Sequence, residues 1–156
     1  MLVCEFEDGG KAKLRHVTVH ALVIKDNKLL LVKRTEKIIE GGKWGLPSGY
    51  VNRNERVEEA VLRELKEETG WDGKVISFFR INSEPHRPND AERQNIALEF
   101  LIEPISETGE PDWEQSEVKW FDLEEINLDE MAFDHGDTIS LLIDYQKNQF
   151  KLPIIV

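Results

Sequence analysis

The chain opens with alternating apolar and polar residues, a pattern that predicts β-strands. The alternation begins at the N-terminus and is interrupted by Asp-Gly-Gly at positions 8–10. Because these residue types form tight turns, we predict a hairpin over residues 1–15. β-Branched and apolar runs between turn-forming residues predict further strands, over residues 16–25, 29–32, 44–51, 74–82, 95–103 and 117–121.

One segment instead carries apolar residues at helical spacing, which predicts an α-helix over residues 56–69. Its apolar arc consists of Val57, Ala60, Val61 and Leu65. Asn54 is the predicted N-cap, and Gly70 is the predicted left-handed residue that ends the helix. A short helical turn over residues 123–126 and a last amphipathic helix over residues 136–148 complete the predicted elements.

The order of these elements indicates the fold class. Strands come first and helices lie between and after them, so we expect a mixed β-sheet covered on both faces, an α/β/α sandwich. The chain has 156 residues, which is long enough to bury a core as a single domain, 1–156. It shows no repeat and no linker.

Charge and composition restrict the possible partners. The formal net charge is −11, which argues against a nucleic-acid partner because binding a phosphate backbone needs a basic surface. Apolar runs are far shorter than the ~20 residues of a membrane span, so we expect no membrane partner. With one cysteine, Cys4, and acidic residues in place of a basic signal-peptide start, we expect a cytoplasmic protein.

Three glutamates of the predicted helix extend its apolar arc rather than face away from it. Glu64, Glu67 and Glu68 are three and four residues apart, so their side chains converge on one face. Converging carboxylates near a core are costly unless a positive group joins them. Oxygen-only ligands favour Mg²⁺ or Mn²⁺ over zinc. On the helix alone, a solvated acidic surface remains an equal alternative.

The context of these glutamates is similar to a known family signature. The matching positions are Gly49, Glu55, Arg63, Glu64, Leu65, Glu67, Glu68, Gly70 and Trp71. In this spacing they resemble the Nudix box of the Nudix hydrolase family, here residues 49–71, and the resemblance extends over roughly residues 15–147. The chain departs from the family pattern at Ser48, at Asn54 and at Trp71, where the family usually has an aliphatic residue.

The resemblance implies the Nudix fold and assigns roles to the box residues. Glu67 and Glu68 would bind Mg²⁺, for which Mn²⁺ can substitute, and Glu64 would be a third ligand or the base that activates water. Gly49 would let a backbone carbonyl reach the metal, or would be a bulge glycine. Arg63 would be structural and pair with Glu55 or a neighbouring carboxylate, rather than contact phosphate directly.

Residues outside the box complete the expected site. Family members often add an acidic residue before the late strand, for which Glu117 is the first choice and Glu114 the second. Candidates for holding phosphate or ribose are Arg34, Arg80, Arg87 and Arg93. Candidates for stacking a base are Trp44, Tyr50, Phe78 and Phe79. His16 and His20 are interpreted as satisfied sheet residues, His86 as a loop residue that contacts substrate, and His135 as the start of the last helix.

The expected activity is metal-dependent hydrolysis of a phosphoanhydride bond in a nucleoside diphosphate derivative. The resemblance favours ADP-ribose or a nucleotide sugar, because Pro85 lies near the place where ADP-ribose-cleaving members carry a proline. A nucleoside triphosphate or dinucleoside polyphosphate pyrophosphohydrolase is the alternative enzyme, and a non-catalytic nucleotide-sensing Nudix protein is the alternative of another class. The partner is therefore a small-molecule nucleotide. The hairpin over 1–15 could also pair with a second subunit in a homodimer.

Overall fold

The computed structural model describes residues 2–87 and 94–156. Its strands are β1 (Leu2–Glu5), β2 (Lys11–Leu14), β3 (Val17–Lys25), β4 (Lys28–Arg34), β5 (Trp44–Gly45), β6 (Ser48–Tyr50), β7 (Trp71–Asn82), β8 (Ile96–Glu107), β9 (Gln115–Asp122) and β10 (Ile154–Ile155). Its α-helices are α1 (Val57–Thr69) and α2 (His135–Asn148), and two 3₁₀ turns span Leu123–Glu125 and Leu128–Glu130.

The main sheet is mixed, as predicted. Its order is β10-β7-β8-β3-β4-β5, with β6 added on β3 and β9 on β4. The central strand β3 runs parallel to β8 and antiparallel to β4. All residues of β3 from Thr18 to Val23 are buried. This pattern is typical of a central strand that is covered on both faces.

A helix packs on each face of this sheet. Alternate residues of β3, including Val19 and Ala21, pack in a cluster with Leu65 and its apolar neighbours on α1. Leu22 follows Ala21 and points to the other face, where it packs in a second cluster with Ile139 of α2. This alternation follows from the period of two in a strand, and it confirms the predicted α/β/α sandwich.

The ends of α1 differ in part from prediction. Asn54 does not cap the helix: it has φ +71°, and the N-cap residue is Arg56, whose backbone N–H donates to the Glu59 carboxylate at 2.8 Å. Gly70 does end the helix with φ +75°. A Cβ at Gly70 would lie 2.1 Å from the carbonyl oxygen of Gly109, so both the conformation and the close approach require glycine.

Several strand boundaries were also predicted imperfectly. The predicted strand over 44–51 is split into β5 and β6, and the Pro47 carbonyl between them accepts a hydrogen bond from the Ala21 N–H at 2.9 Å. β7 and β8 are longer than predicted because they pair over almost their whole length through bulges. The 3₁₀ turn Leu128–Glu130 and the short strand β10 were not predicted.

The N-terminal segment forms the predicted hairpin. β1 and β2 pair antiparallel in a two-stranded sheet of their own, with Leu2 opposite Leu14. No helix in the described part of the chain is both long and apolar enough to cross a membrane.

Candidate active site

A cavity of about 440 Å³ opens where the first half of β3, strand β6 and the glutamate face of α1 meet the start of α2. It brings together the three box glutamates, Glu64, Glu67 and Glu68. The other lining residues are His16, Thr18, His20, Arg34, Ser48, Gly49, Tyr50, Asn52, Arg63, Arg87, Asn95, Asp112, Glu114, Phe133, Asp134 and His135.

Glu68 is the most buried of the three glutamates, at 5% exposure. Its Oε2 accepts a hydrogen bond from the Ser48 backbone N–H at 2.7 Å, and its Oε1 accepts one from the Gln115 side-chain amide at 2.6 Å. Burial nevertheless raises the pKa of Glu68 well above its ordinary value, and the nearby Glu64 raises it further. These donors therefore compensate only part of the cost of a buried negative charge.

Glu64 lies against the backbone of Gly49. A Cβ added at Gly49 would lie only 2.1–2.3 Å from the carboxylate atoms of Glu64, so no larger residue fits there while Glu64 keeps its place. Burial raises the pKa of Glu64 as well, although Arg63 partly offsets this. The structure thus gives a steric reason for glycine at position 49.

Arg63 connects the helix to the loop before it. Its Nε and Nη2 donate to the two carboxylate oxygens of Glu55 at 3.1 and 2.8 Å, the pair that the sequence predicted. Nη2 also donates to the Tyr50 carbonyl at 2.9 Å. Its Nη1 donates to both Glu64 and Glu67, at 2.8 and 2.9 Å. Arg63 therefore fixes the positions of two box glutamates at once.

The additional acidic residues differ from expectation. Glu117, the first choice, is exposed on β9 opposite Lys33 and does not line the cavity. Glu114, the second choice, does line it, and so does Asp112, which was missed. The Asp112 backbone N–H donates to the Glu67 carbonyl at 2.9 Å, a contact between distant segments that no local pattern could indicate.

The chemistry of these donors fits a hard divalent cation. Burial leaves Glu64 and Glu68 with raised pKa values, and all the acidic side chains offer oxygen, which Mg²⁺ and Mn²⁺ prefer. Within residues 2–87 and 94–156, however, no three acidic, histidine or cysteine side chains already converge on one point suited to a metal. Here Arg63 holds Glu67, and Gln115 holds Glu68.

The predicted arginines that the structure describes line two cavities. Arg34 and Arg87 line the cavity. Arg80 lines a second cavity and lies 3.7 Å from the buried Glu99. Arg93 lies outside the described residues, as does Pro88.

Arg87 is bound by protein groups at all three of its guanidinium nitrogens. It is 6% exposed, and it donates to both carboxylate oxygens of Asp134 and to the Asn95 side chain. Arg87 and Asp134 thus form a buried ion pair, which joins the segment before residue 88 to the start of α2. The geometry therefore favours a structural role for Arg87 over a direct phosphate contact.

Of the four aromatic stacking candidates, Tyr50 alone lines the cavity, and its ring is half exposed. Phe78 and Phe79 pack in the two core clusters, and Trp44 packs at the edge of one of them. Phe133, which was not predicted, also lines the cavity beneath the Arg34 guanidinium, 5.0 Å from its ring centre.

The histidines also differ from expectation. The ring nitrogens of His20 were expected to be hydrogen-bonded within the sheet. Its Nδ1 is instead buried with no hydrogen-bond partner among the described residues. Burial lowers the pKa of His20 well below its usual value and that of His135 to about 4. His135 is the first residue of α2, as predicted, and its Nδ1 accepts a hydrogen bond from the Leu46 N–H at 3.0 Å. His86 lies at the second cavity.

Comparison with known proteins identifies the family. The NUDIX domain model matches residues 14–142. An ADP-ribose pyrophosphatase of Methanocaldococcus jannaschii is 39% identical over 131 residues, which cover 84% of this chain and 73% of the relative.

Solved structures agree with the family match. A NUDIX hydrolase from Nitrosomonas europaea superposes with a TM-score of 0.80 at 23% identity, over 95% of this chain and 82% of that one. The NUDIX domain of Shewanella oneidensis NrtR, complexed with ADP ribose, gives a TM-score of 0.64 at 25% identity, over 86% and 90% of the two chains. The chain therefore belongs to the Nudix family, and it is a Nudix pyrophosphohydrolase.

Proposed function

We propose that this hydrolase cleaves the phosphoanhydride bond of ADP-ribose, or of a similar nucleotide sugar, with Mg²⁺ as cofactor. The observation that carries the proposal is the gathering of Glu64, Glu67 and Glu68 at one cavity. The similarity to an ADP-ribose pyrophosphatase over most of both chains supports the choice of substrate. The complex of the NrtR domain with ADP ribose supports the capacity of this fold to hold that ligand.

The charge of the cavity supports the requirement for a cation. Three more carboxylates than guanidinium groups line it. Because a diphosphate also carries negative charge, its approach to this surface is repulsive unless a cation intervenes. Arg63 and Arg87 are already counted in this difference, and both are paired with carboxylates of the protein.

In the proposed site, Glu67 and Glu68 hold the metal, and Glu64 is a further ligand or the general base. The bound cation would neutralise the diphosphate and acidify the attacking water. The chain's own part is to hold the carboxylates at fixed positions and to accept the proton of the water. Arg63 orients Glu64 and Glu67, and Gly49 leaves the space in which the Glu64 carboxylate lies.

The test is hydrolysis by the metal-stripped protein with and without Mg²⁺. We expect AMP and ribose 5-phosphate to form from ADP-ribose, and to be resolved by ion-exchange chromatography, when the metal is present. Nucleoside triphosphates, diadenosine polyphosphates and nucleotide sugars tested in parallel would identify another substrate. Cleavage of a nucleoside triphosphate or a diadenosine polyphosphate under conditions in which neither ADP-ribose nor a nucleotide sugar is cleaved would refute the choice of substrate.

Variants of the box test the assignment of residues. Glu67→Gln and Glu68→Gln should each abolish metal-dependent turnover and leave the fold intact. Glu58→Gln is the matched control, because Glu58 is an exposed glutamate in the first turn of the same helix. Undiminished hydrolysis by both box variants would show that the metal is held elsewhere.

We further propose that the N-terminal hairpin contacts a second copy of the chain. Val3 and Phe6 are 77% and 51% exposed on this hairpin, and an isolated two-stranded hairpin is only marginally stable in water. Light scattering should give the mass of a dimer, and Val3→Glu with Phe6→Glu should shift it to that of a monomer. A monomeric wild-type protein would refute the proposal.

A further inference from the structure

Gln115 is a buried polar side chain in contact with the glutamate helix. Its exposure is 7%, and its side-chain amide nitrogen lies 2.6 Å from Oε1 of Glu68. Together with the Ser48 N–H on the other carboxylate oxygen, it holds Glu68 from two different strands. Nothing in the Nudix box indicates this contact, since Gln115 lies 47 residues from Glu68.

An irregularity in the sheet explains how Gln115 reaches the site. β9 pairs with β4 so that Glu117 is opposite Lys33 and Gln115 is opposite Arg34, with a register shift between these two pairs. Residues two apart in a regular strand share a face, yet Glu117 is exposed and Gln115 is buried. Because a bulge redirects side chains, the shift turns Gln115 towards α1.

The chemistry of the amide suits it to orient a metal ligand. Only its NH₂ group can face a carboxylate, because its oxygen would be repelled there. Its oxygen is buried and has no hydrogen-bond partner among the described residues, so the interaction with Glu68 alone selects the orientation of the amide. A neutral donor uses one lone pair of Oε1 but does not neutralise Glu68, so the carboxylate can still bind a cation. Lysine or arginine at this position would instead compete with that cation.

We infer that Gln115 is a positioning residue that holds the Glu68 carboxylate for a divalent cation, an inference that rests on the proposed metal-dependent function. Groups that hydrogen-bond to metal ligands commonly change metal affinity by about 10–100-fold when they are removed. Gln115→Met keeps a similar volume and loses the donor. We therefore expect it to weaken divalent-metal binding by about tenfold while the protein remains folded.

The experiment is a titration of the metal-free protein with Mn²⁺, with free Mn²⁺ measured by electron paramagnetic resonance. Ser116→Ala is the matched control, because Ser116 lies at the same bulge and its hydroxyl donates to the Lys33 carbonyl at 3.1 Å, away from Glu68. We expect wild-type affinity in the control and weakened binding in Gln115→Met. Gln115→Lys should also bind more weakly, because its ammonium group competes for Glu68.

Kinetics supply a second readout. In Gln115→Met the Mg²⁺ concentration that gives half-maximal rate should rise, while KM for substrate at saturating Mg²⁺ should stay unchanged. If thermal unfolding shows that Gln115→Met is not folded, Gln115→Asn replaces it. The asparagine side chain is one methylene shorter and holds its amide further from Glu68, so this variant should show the same weakening of metal binding.

Two variants separate failure of this inference from failure of the proposed function. If Glu68→Gln loses Mn²⁺ binding while folded Gln115→Met binds like the wild type, the role of Gln115 is refuted and the metal site stands. If Glu68→Gln also binds Mn²⁺ like the wild type, the proposed metal site itself is wrong.

Discussion

Replacement of Gly49 by alanine tests whether the space beside Glu64 is needed for catalysis. The added Cβ would lie 2.1 Å from the carboxylate carbon of Glu64 and 2.2 and 2.3 Å from its oxygens. Since non-bonded heavy atoms prefer about 3.5 Å or more, the carboxylate must move by more than about 1 Å. A displacement of this size at a reacting group costs about 100-fold in rate.

Stability should respond much less than activity to this change. The backbone of Gly49 is outside the left-handed region, so alanine adds no backbone strain. The main loss is the contact between Arg63 and Glu64, a partly exposed pair worth about 1 kcal/mol or less. For a protein of this length, a loss of that size lowers the melting temperature by at most about 2–4 °C.

The assay is kcat for ADP-ribose hydrolysis at saturating Mg²⁺, measured beside thermal unfolding of the same preparation. Gly109→Ala is the matched control, because its Cβ would make only ordinary van der Waals contacts, with the flexible Lys66 side chain at 3.4 Å and the Gly70 Cα at 3.6 Å. We expect wild-type kcat in the control and a large loss in Gly49→Ala. Wild-type turnover by Gly49→Ala would refute the steric argument, and so would a rate loss that only followed unfolding.

Three further changes test other parts of the site. Arg63→Lys replaces the planar fork with a single ammonium group, so it should lower kcat by about tenfold with little change in melting temperature; an unchanged kcat would contradict the orienting role. Arg87→Ala should destabilise the protein by about 3 kcal/mol in urea denaturation because Asp134 loses its partner; a raised KM with unchanged stability would indicate a phosphate contact instead. His135 is buried with a pKa of about 4, below the ~6.5 of an unfolded histidine. The unfolded chain therefore binds the proton first, and His135 lowers stability as pH falls from about 6.5 to 4, by about 3 kcal/mol. The difference in unfolding free energy between wild type and His135→Gln should shift by that amount in favour of the variant between pH 7 and pH 4, and a constant difference would refute the linkage.

Local patterns predicted the parts of the structure that depend on local physics. The glutamate helix was predicted because Ala60, Val61 and Leu65 recur at helical spacing, and its end because Gly70 can adopt a left-handed conformation. Its N-cap was predicted wrongly, since Asn54 is a residue type that commonly caps helices but here lies in a loop with positive φ. The mixed sheet followed from the order of the strands.

The outer parts of the site could not be predicted in the same way. Gln115 reaches α1 through the register of β9 and a bulge, and Asp112 contacts α1 from the loop before β9. Both contacts depend on segments that are distant in sequence. Phe133 lies at the cavity with φ +53°, a conformation that its residue type does not suggest. Glu117 was chosen because a charged side chain signals metal chemistry, and Gln115 was not considered because a neutral amide does not.

The polar residues on and next to the central strand β3 were noted in the sequence, but their place in the cavity was not predicted. His16, Thr18 and His20 line the cavity, while Leu22, on the same face of β3, packs in the core beneath α2. This face therefore changes from polar to apolar where the cavity meets the core. Among the described residues, Thr18 Oγ1 and His20 Nδ1 are buried without hydrogen-bond partners, an arrangement that costs stability. A strand that served only the core would carry apolar residues at both positions, so the polar half of β3 is retained at a cost to stability because it forms the floor of the site.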